Sequence, residues 1–197
     1  MPKRVDHDER RRLIAAAVRR IAADRGLEAV SLGEVAAEAG ISKGLVQHYF
    51  ATKDAMLRFA TGTLRDHVEQ RLGTPATLRD TIVALLPLDD ASRAEALVAN
   101  AFLVRALKDE EIAGRFRTGH AQLAEVLTTM VAAAQAAGEL AADLDPAREA
   151  DLLLAVAAGL GDAVLLGHRT PEQAIALVDH HLFRLEARET GLARAIE

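Results

Sequence analysis

Apolar residues recur along the whole chain at the three- and four-residue spacing of amphipathic helices. Near the N-terminus, Leu13, Ile14, Ala17, Val18 and Ile21 form one such stripe. The alternation typical of strands is missing, and alanine, the best helix former, is abundant. We therefore predict an all-α protein of about nine helices. The predicted helices cover residues 6–25, 31–40, 42–50, 52–72, 75–86, 90–108, 109–137, 145–168 and 170–188.

Hydroxyl residues and prolines mark the predicted starts of helices. Ser31 with Glu34 three positions later has the spacing of a capping box, in which each side chain bonds the other residue's backbone N–H. Thr74 followed by Pro75 is predicted to begin the fifth helix, because proline is well tolerated at the first helical position.

The most informative segment covers residues 31–50, where two short helices are joined by Ala39-Gly40-Ile41-Ser42. Gly40 can adopt the positive φ of a tight turn, and Ser42 is a good N-cap for the second helix. Ala36 is small enough for the two helices to cross closely. This spacing fits a helix-turn-helix, whose second helix enters the major groove of DNA.

The second of these helices and its neighbours carry side chains suited to DNA. Hydroxyl, ammonium, amide and imidazole groups lie within a few positions, and Gly44 leaves room for a close backbone approach. Free amides at the start of the next helix can bind phosphate. The candidate DNA-binding residues are Ser31, Ser42, Lys43, Gly44, Leu45, Gln47, His48, Tyr49, Thr52 and Lys53. An ordinary αα-hairpin with a glycine turn is the alternative.

Residues 10–57 resemble the DNA-binding domain of TetR-family transcriptional regulators. The segments that carry the resemblance are RLIAAA at 12–17, VSLGEVA at 30–36 and AGISKGLVQHYFATKDAML at 39–57.

The resemblance implies that Lys43, Tyr49 and Lys53 hold phosphates. It also implies that Leu45, Gln47 and His48 face base edges, although His48 could instead contact a phosphate. The family often has Tyr at the position of Gln47, so whether Gln47 reads a base or a phosphate stays open.

The segment 152–166 is apolar on every face apart from glycines and Asp162. Such a helix must be buried on every side, so we predict that one face packs on its own domain and the other on a second copy of the chain. A fully buried core helix in a monomer is the alternative. The predicted dimer interface comprises Leu153, Val156, Gly159, Leu160, Val164, Ile175, Val178 and Leu182.

The segment 153–185 is similar to the C-terminal domain of the BetI-like branch of the same family. The resemblance to the family implies a small-molecule pocket between the fourth and eighth predicted helices. The candidate lining residues, each of which could also be ordinary core, are Phe59, Leu64, Leu86, Phe102, Leu103, Phe116, His120, Leu123, Leu127 and Met130. The effector is not implied, and the lack of Trp, with Tyr49 the only Tyr, argues against an aromatic cage for a quaternary ammonium.

The net charge of −5 would argue against a nucleic-acid partner if it were evenly spread. Residues 1–60, however, carry 11 Lys and Arg against 8 Asp and Glu, whereas the remaining residues carry 13 against 21. A basic N-terminal part on an acidic body indicates two tasks. We predict a helix-turn-helix domain at 1–52 and a ligand-binding and dimerisation domain at 53–197.

Other classes of protein find little support. The chain has no Cys, no nucleophile-elbow motif and no phosphate-binding glycine loop, so we do not expect an enzyme. The adjacent His180 and His181 would point about 100° apart on a helix, and we predict no metal and no cofactor. The longest apolar stretch is too short for a membrane span, and we expect a cytoplasmic protein.

The predicted function is a ligand-responsive, DNA-binding transcriptional regulator. We expect a homodimeric repressor that a small molecule releases from a palindromic operator. A DNA-binding protein without ligand control and an activator are the alternatives.

Overall fold

The computed structural model describes residues 3–73 and 77–187, with the side chains of all of these except 3–6 and 64–72. These residues form helices and no β-strand, which confirms the predicted all-α class. The helices are α1 (Lys3–Arg25), α2 (Leu32–Glu38), α3 (Lys43–Tyr49), α4 (Lys53–Leu72), α5 (Leu78–Ala84), α6 (Asp90–Ala106), α7 (Glu110–Ala136), α8 (Pro146–Leu165) and α9 (Pro171–Leu185).

Two local features differ from the predicted helix boundaries. Helix α5 begins after Thr77, whose hydroxyl accepts a hydrogen bond from the backbone N–H of Asp80 at 3.0 Å. The predicted start at Thr74 and Pro75 lies outside the described residues. A short 3-10 turn, 27–29, also lies between α1 and α2, where the sequence predicted no element.

The chain divides into two compact units. Unit 1 comprises Met1–Gly73 and Pro87–His120, and unit 2 comprises Thr74–Leu86 and Ala121–Glu197; α7 has residues in both. These units differ from the functional domains predicted at 1–52 and 53–197, and those domains stay a prediction.

Helix α1 is the common support of unit 1, because α2, α4 and α6 all pack against it. The apolar stripe predicted for α1 is largely buried, and burial of each such large side chain contributes about 1.5–3 kcal/mol. The buried core of unit 1 includes Ile14, Val18, Ile21, Val35, Val46, Phe50, Met56, Val98, Phe102 and Ile112.

A buried carboxylate, Asp109, joins three helices of unit 1. Its Oδ2 lies 3.2 Å from Nε of Arg58 on α4 and 3.8 Å from Nη2 of Arg105 on α6. Its Oδ1 accepts a hydrogen bond from the N–H of Ile112 in the first turn of α7. Burial by itself would raise the pKa of Asp109, but the hydrogen bonds from Ile112 and Arg58, together with the positive charges of Arg58 and Arg105, outweigh it and hold the pKa below its ordinary value.

Unit 2 is built from α5, α8 and α9, which pack on one another, together with the second part of α7. Arg79 on α5 binds the carboxylate of Asp179 on α9 through Nε at 2.6 Å and Nη2 at 3.0 Å. An antiparallel bridge between Leu140 and Glu186 holds the end of α9 against the turn that follows α7. The buried apolar side chains of unit 2 include Ile82, Leu86, Leu127, Val131, Leu153, Ala157, Ala174, Val178 and Leu185.

Replacement of Asp109 should make the stability of the fold depend differently on pH. The depressed folded-state pKa means that the carboxylate stabilises the fold above its unfolded-state pKa and that this contribution is lost as pH falls through the folded-state pKa. Asp109→Asn should therefore lower the free energy of unfolding near neutral pH, with a loss that shrinks below about pH 4. Urea unfolding across this pH range measures it.

Glu110→Gln is the matched control, because this neighbouring carboxylate is largely exposed and pairs with Arg117. A loss in Asp109→Asn that stays constant from neutral pH to about pH 3 would contradict the assigned role of the charge.

Candidate DNA-binding surface

Helix α2 is fixed to α1 by ion pairs that the sequence pattern did not predict. Ser31 caps α2 as expected, and its Oγ accepts from the N–H of Glu34 at 3.1 Å. The carboxylate of Glu34, however, pairs with Arg25 at 2.9 Å. A second pair joins Arg20 to Glu38 at 2.5 Å. Exposed pairs of this kind contribute little stability, so their main effect is to orient α2.

The turn between α2 and α3 has the predicted geometry. Gly40 has a φ of 66°, a conformation in which a Cβ is strained. The N–H groups of Gly40 and Ile41 bond the carbonyls of Ala37 and Ala36 at 3.2 and 3.0 Å, which closes the end of α2. The turn therefore sets the angle between the two helices.

Helix α3 is anchored along one side and open on the other. Ser42 caps it by accepting from the N–H of Leu45 at 3.2 Å, and Val46 and Phe50 are buried in the core. The predicted residues Lys43, Gly44, Gln47 and His48 are all exposed. Their spacing places them on one side of a helix. The surface that they form, called here the α3 polar face, is available to a partner.

Gly44 lies on this face, and packing within the chain does not require a glycine there. A Cβ at Gly44 would have no heavy atom within 4 Å. Glycine inside a helix lowers stability by about 0.5–1 kcal/mol relative to alanine. Packing within the chain therefore does not account for glycine at this position, and a close approach to DNA at Gly44 stays a prediction.

Tyr49 stands at the edge of the α3 polar face between two imidazoles. Its ring is edge-on to His48 with centroids 5.3 Å apart, and edge-on to His7 of α1 at 4.7 Å. Sequence reasoning missed His7, because its contact with α3 spans about forty positions and leaves no local pattern. The start of α1 therefore adjoins the candidate DNA-binding surface.

The last two predicted DNA-binding residues hold the start of α4. Thr52 accepts from the N–H of Ala55 at 3.1 Å, which makes it the helix cap. Lys53 is half-buried, and its ammonium donates to the carbonyl of Leu27 in the 3-10 turn at 3.3 Å. Lys53 thus positions a turn in the free protein, and its phosphate contact stays a prediction.

The candidate ligand-pocket residues fall in both compact units. Phe59, Phe102, Leu103, Phe116 and His120 belong to unit 1, whereas Leu86, Leu123, Leu127 and Met130 belong to unit 2. The side chain of Leu64 lies outside the described residues. Leu86, Phe102 and Leu127 are buried, while Leu103 and His120 are exposed. The pocket stays a prediction.

The residues of the predicted dimer interface differ in exposure within the single chain. Leu153, Val164 and Val178 are buried and contribute to the core of unit 2. Val156, Leu160, Ile175 and Leu182 are half-buried, and Gly159 is exposed. The large apolar side chains exposed on α8, its C-cap and α9 are Leu152, Leu166, Leu177 and Phe183. The interface itself stays a prediction.

The histidines of α9 and Asp162 of α8 are exposed or paired with a carboxylate. His181 is half-buried with Nε2 3.1 Å from a carboxylate oxygen of Glu149, whereas His180 is exposed. Asp162, the one charged residue in the apolar part of α8, is exposed. None of the helices in the described part of the chain is long and apolar enough to cross a bilayer.

Two family models match the chain. The model described as bacterial regulatory proteins, tetR family, matches residues 13–59. The model described as BetI-type transcriptional repressor, C-terminal, matches residues 75–186.

Similar curated proteins agree with these matches. The HTH-type transcriptional regulator PksA of Bacillus subtilis is 43% identical over 72 residues, which cover 36% of this chain and 35% of PksA. The HTH-type transcriptional regulator BetI of Rhizobium meliloti is 33% identical over 120 residues, which cover 57% of this chain and 59% of BetI. The chain thus matches between one third and three fifths of the length of these relatives.

Solved structures match over nearly the whole chain. A transcriptional regulator from Rhodococcus sp. Rha1 is 33% identical with a TM-score of 0.78, and the match covers 91% of this chain and 98% of that one. A regulator from Saccharomonospora viridis, solved in complex with choline, is 22% identical with a TM-score of 0.82 and coverages of 92% and 100%. The second likeness shows the fold alone.

Lys43 and Lys53 should respond differently to removal of their charge. Lys43→Ala should weaken binding to any duplex DNA and reduce the salt slope by about 1, with unchanged stability, because Lys43 is exposed. Lys53→Ala should also lower the free energy of unfolding by about 1 kcal/mol, because its bond to Leu27 is lost. Fluorescence anisotropy with labelled DNA at several salt concentrations, together with urea unfolding, separates the two effects. Unchanged stability in Lys53→Ala would contradict the positioning role.

Gly44→Ala should separate folding from DNA binding. The added methyl group meets no atom of this chain and raises helix propensity, so the free energy of unfolding should rise by up to about 1 kcal/mol. The same methyl group should weaken DNA binding about tenfold or more if the backbone of α3 approaches DNA closely. Gly119→Ala in α7 is the control, because a Cβ there also meets nothing. Equal DNA affinity in the two variants would contradict close approach at Gly44.

Proposed function

Because the chain belongs to the TetR family of transcriptional regulators, with a C-terminal domain of the BetI type, we propose that it is a repressor controlled by a small molecule. The observation that carries the proposal is the exposure of the α3 polar face. The opposite side of α3 is anchored in the core by Val46 and Phe50. In this proposal Lys43 contacts a phosphate, and Gln47 and His48 reach the base edges or the phosphates beside them. Binding to chromosomal DNA would place the protein in the cytoplasm.

The shortness of α3 is the reason to expect two copies on one operator. A seven-residue helix reaches few base pairs, and one such module gives little sequence discrimination. A dimer with two-fold symmetry doubles the contacts and requires a palindromic site. The basic balance of residues 1–60 then brings two positively charged surfaces to the same stretch of DNA.

The exposed apolar residues of unit 2 support dimerisation through α8 and α9. Leu152 is 54% exposed, Leu166 70% and Phe183 68%, although all three are large apolar side chains. Leu152, Gly159 and Leu166 are spaced seven residues apart, so they form one stripe along α8. A second copy packing its α8 and α9 on this stripe would remove it from water in a four-helix arrangement.

Effector control is proposed from the type of the C-terminal domain. A small molecule that prefers one separation of the two α3 helices would shift the dimer toward that separation. Release follows when this separation no longer matches adjacent major grooves. The choline complex of the Saccharomonospora viridis protein does not transfer its ligand at 22% identity. The chain has no Trp and its one Tyr lies in α3, so phenylalanine is the one aromatic residue type left in the C-terminal domain to contact a quaternary ammonium, and it binds cations less well than Trp.

Selection of genomic fragments by the purified full chain, followed by footprinting, tests the proposal. We expect a protected inverted repeat whose half-sites are centred about 34–36 Å apart or a multiple of this. Leu152→Arg should give monomers by light scattering and lose protection of the full repeat. Val126→Arg should remain dimeric and keep protection, although Val126 is 52% exposed and so closely matched to Leu152.

Two outcomes would count against this scheme. Protection of a single half-site or of a direct repeat would contradict the two-fold operator. An intact dimer in Leu152→Arg would move the interface away from this stripe of α8 and leave DNA binding itself unaffected.

A further inference from the structure

A cleft in unit 1 lies outside the α3 polar face and is not lined by α8 or α9. It lies between α1, α4 and the first part of α7, and its volume is about 340 Å³. This volume is within the range of small-molecule sites. The lining residues are Asp8, Arg12, Phe59, Gly62, Thr63 and Arg115.

The floor of the cleft depends on a glycine. A Cβ at Gly62 would collide with the Nη1 atom of Arg115, so this guanidinium rests directly on the backbone of α4. Glycine in the middle of a helix is unfavourable, and at Gly62 the missing side chain is what gives Arg115 its place. Arg115 therefore lies against α4 in the space that a side chain at position 62 would occupy.

Two guanidinium groups at the cleft have N–H donors available for an anion. Arg115 pairs with Glu111 through Nη2 at 3.0 Å, which leaves Nη1 directed to the cleft. Arg12 is exposed and makes no hydrogen bond or ion pair within the described part of the chain. Thr63 contributes little further, because its hydroxyl already accepts from Arg19 at 2.6 Å. Asp8 carries the one negative charge of the lining, so the lining has a net charge of +1.

An aromatic ring supplies the apolar wall. Phe59 is half-buried, with its ring 5.4 Å from that of Phe50. The guanidinium of Arg11 lies 4.2 Å from the centroid of Phe59 on α4 and 5.1 Å from that of Phe50. Arg11 thus adds a positive charge beside Phe59, which offsets the negative charge that Glu111 brings to Arg115.

We propose that this cleft binds a small monocarboxylate with an aromatic or apolar body. The carboxylate would lie between Arg12 and Arg115, because the guanidinium fork matches its two oxygens. The body would pack on Phe59. Asp8 at the rim disfavours a second negative charge, which selects a monocarboxylate over a dianion.

A ligand in this position would act next to the recognition helix. The cleft is carried by α1 and α4, and α4 begins three residues after Phe50 ends α3. Arg11 and Phe59, which neighbour the cleft, both contact Phe50. The proposal goes beyond repression through the C-terminal domain, because it adds a second regulatory site within unit 1.

Calorimetric titration of the full chain with phenylacetate, in the absence of DNA, tests the site. We expect one phenylacetate per chain. Benzyl alcohol, which keeps the ring and lacks the charge, and inorganic phosphate, which lacks the ring, should each bind at least tenfold more weakly. Raising the salt concentration should weaken phenylacetate binding, because the cleft is open to solvent.

The variants identify the residues. Arg12→Gln combined with Arg115→Gln should lower phenylacetate affinity at least tenfold, and Gly62→Ala should lower it by displacing Arg115. Arg117→Gln is the matched control, because this arginine of α7 pairs with Glu110 and does not line the cleft. If the double variant does not fold, Arg12→Gln alone should still lower phenylacetate affinity. Arg12 is exposed, so this single change should not disturb the core.

Absence of phenylacetate binding, unchanged affinity in the Arg12 and Arg115 variants, or phosphate binding as tight as phenylacetate would each overturn the proposal. These results do not depend on DNA. Failure of the cleft to bind is therefore distinguishable from failure of operator binding, which is measured on the unliganded protein.

Discussion

The candidate DNA-binding surface depends on the burial of one narrow apolar stripe on α3. A helix of seven residues is not stable alone, so α3 exists because Val46 and Phe50 are buried in the core that α1 supports. Because α3 is buried on one side, the residues on its opposite side do not pack in the core. Polar residues there can change with little effect on the fold, which suits a surface whose task is to distinguish one DNA sequence from another.

Features encoded by neighbouring residues could be predicted from the sequence. The turn at Gly40 and the caps at Ser31 and Ser42 were correct, because each involves groups no more than five positions apart. Partners distant in sequence could not be predicted. The pairing of Glu34 with Arg25 replaced half of the expected capping box, and the ammonium of Lys53 was found on the 3-10 turn.

For helix α8, the sequence could not show which apolar residues would be exposed. Leu152 and Leu153 are adjacent and equally apolar, yet Leu152 is half exposed and Leu153 is buried. A helix that is apolar all round has no polar stripe to show which side faces away from its own domain. The pattern correctly marked α8 as unusual, but only the positions of α5 and α9 decide which stripe they cover.

The environment of Tyr49 has an optical consequence. The chain contains no Trp and one Tyr, so its tyrosine fluorescence originates from a single ring. That ring lies on α3 and makes edge-on contacts with the imidazoles of His7 and His48. The protein therefore carries a spectroscopic reporter at the surface where DNA is proposed to bind, and the rest of the chain contributes no Trp or Tyr emission to obscure it.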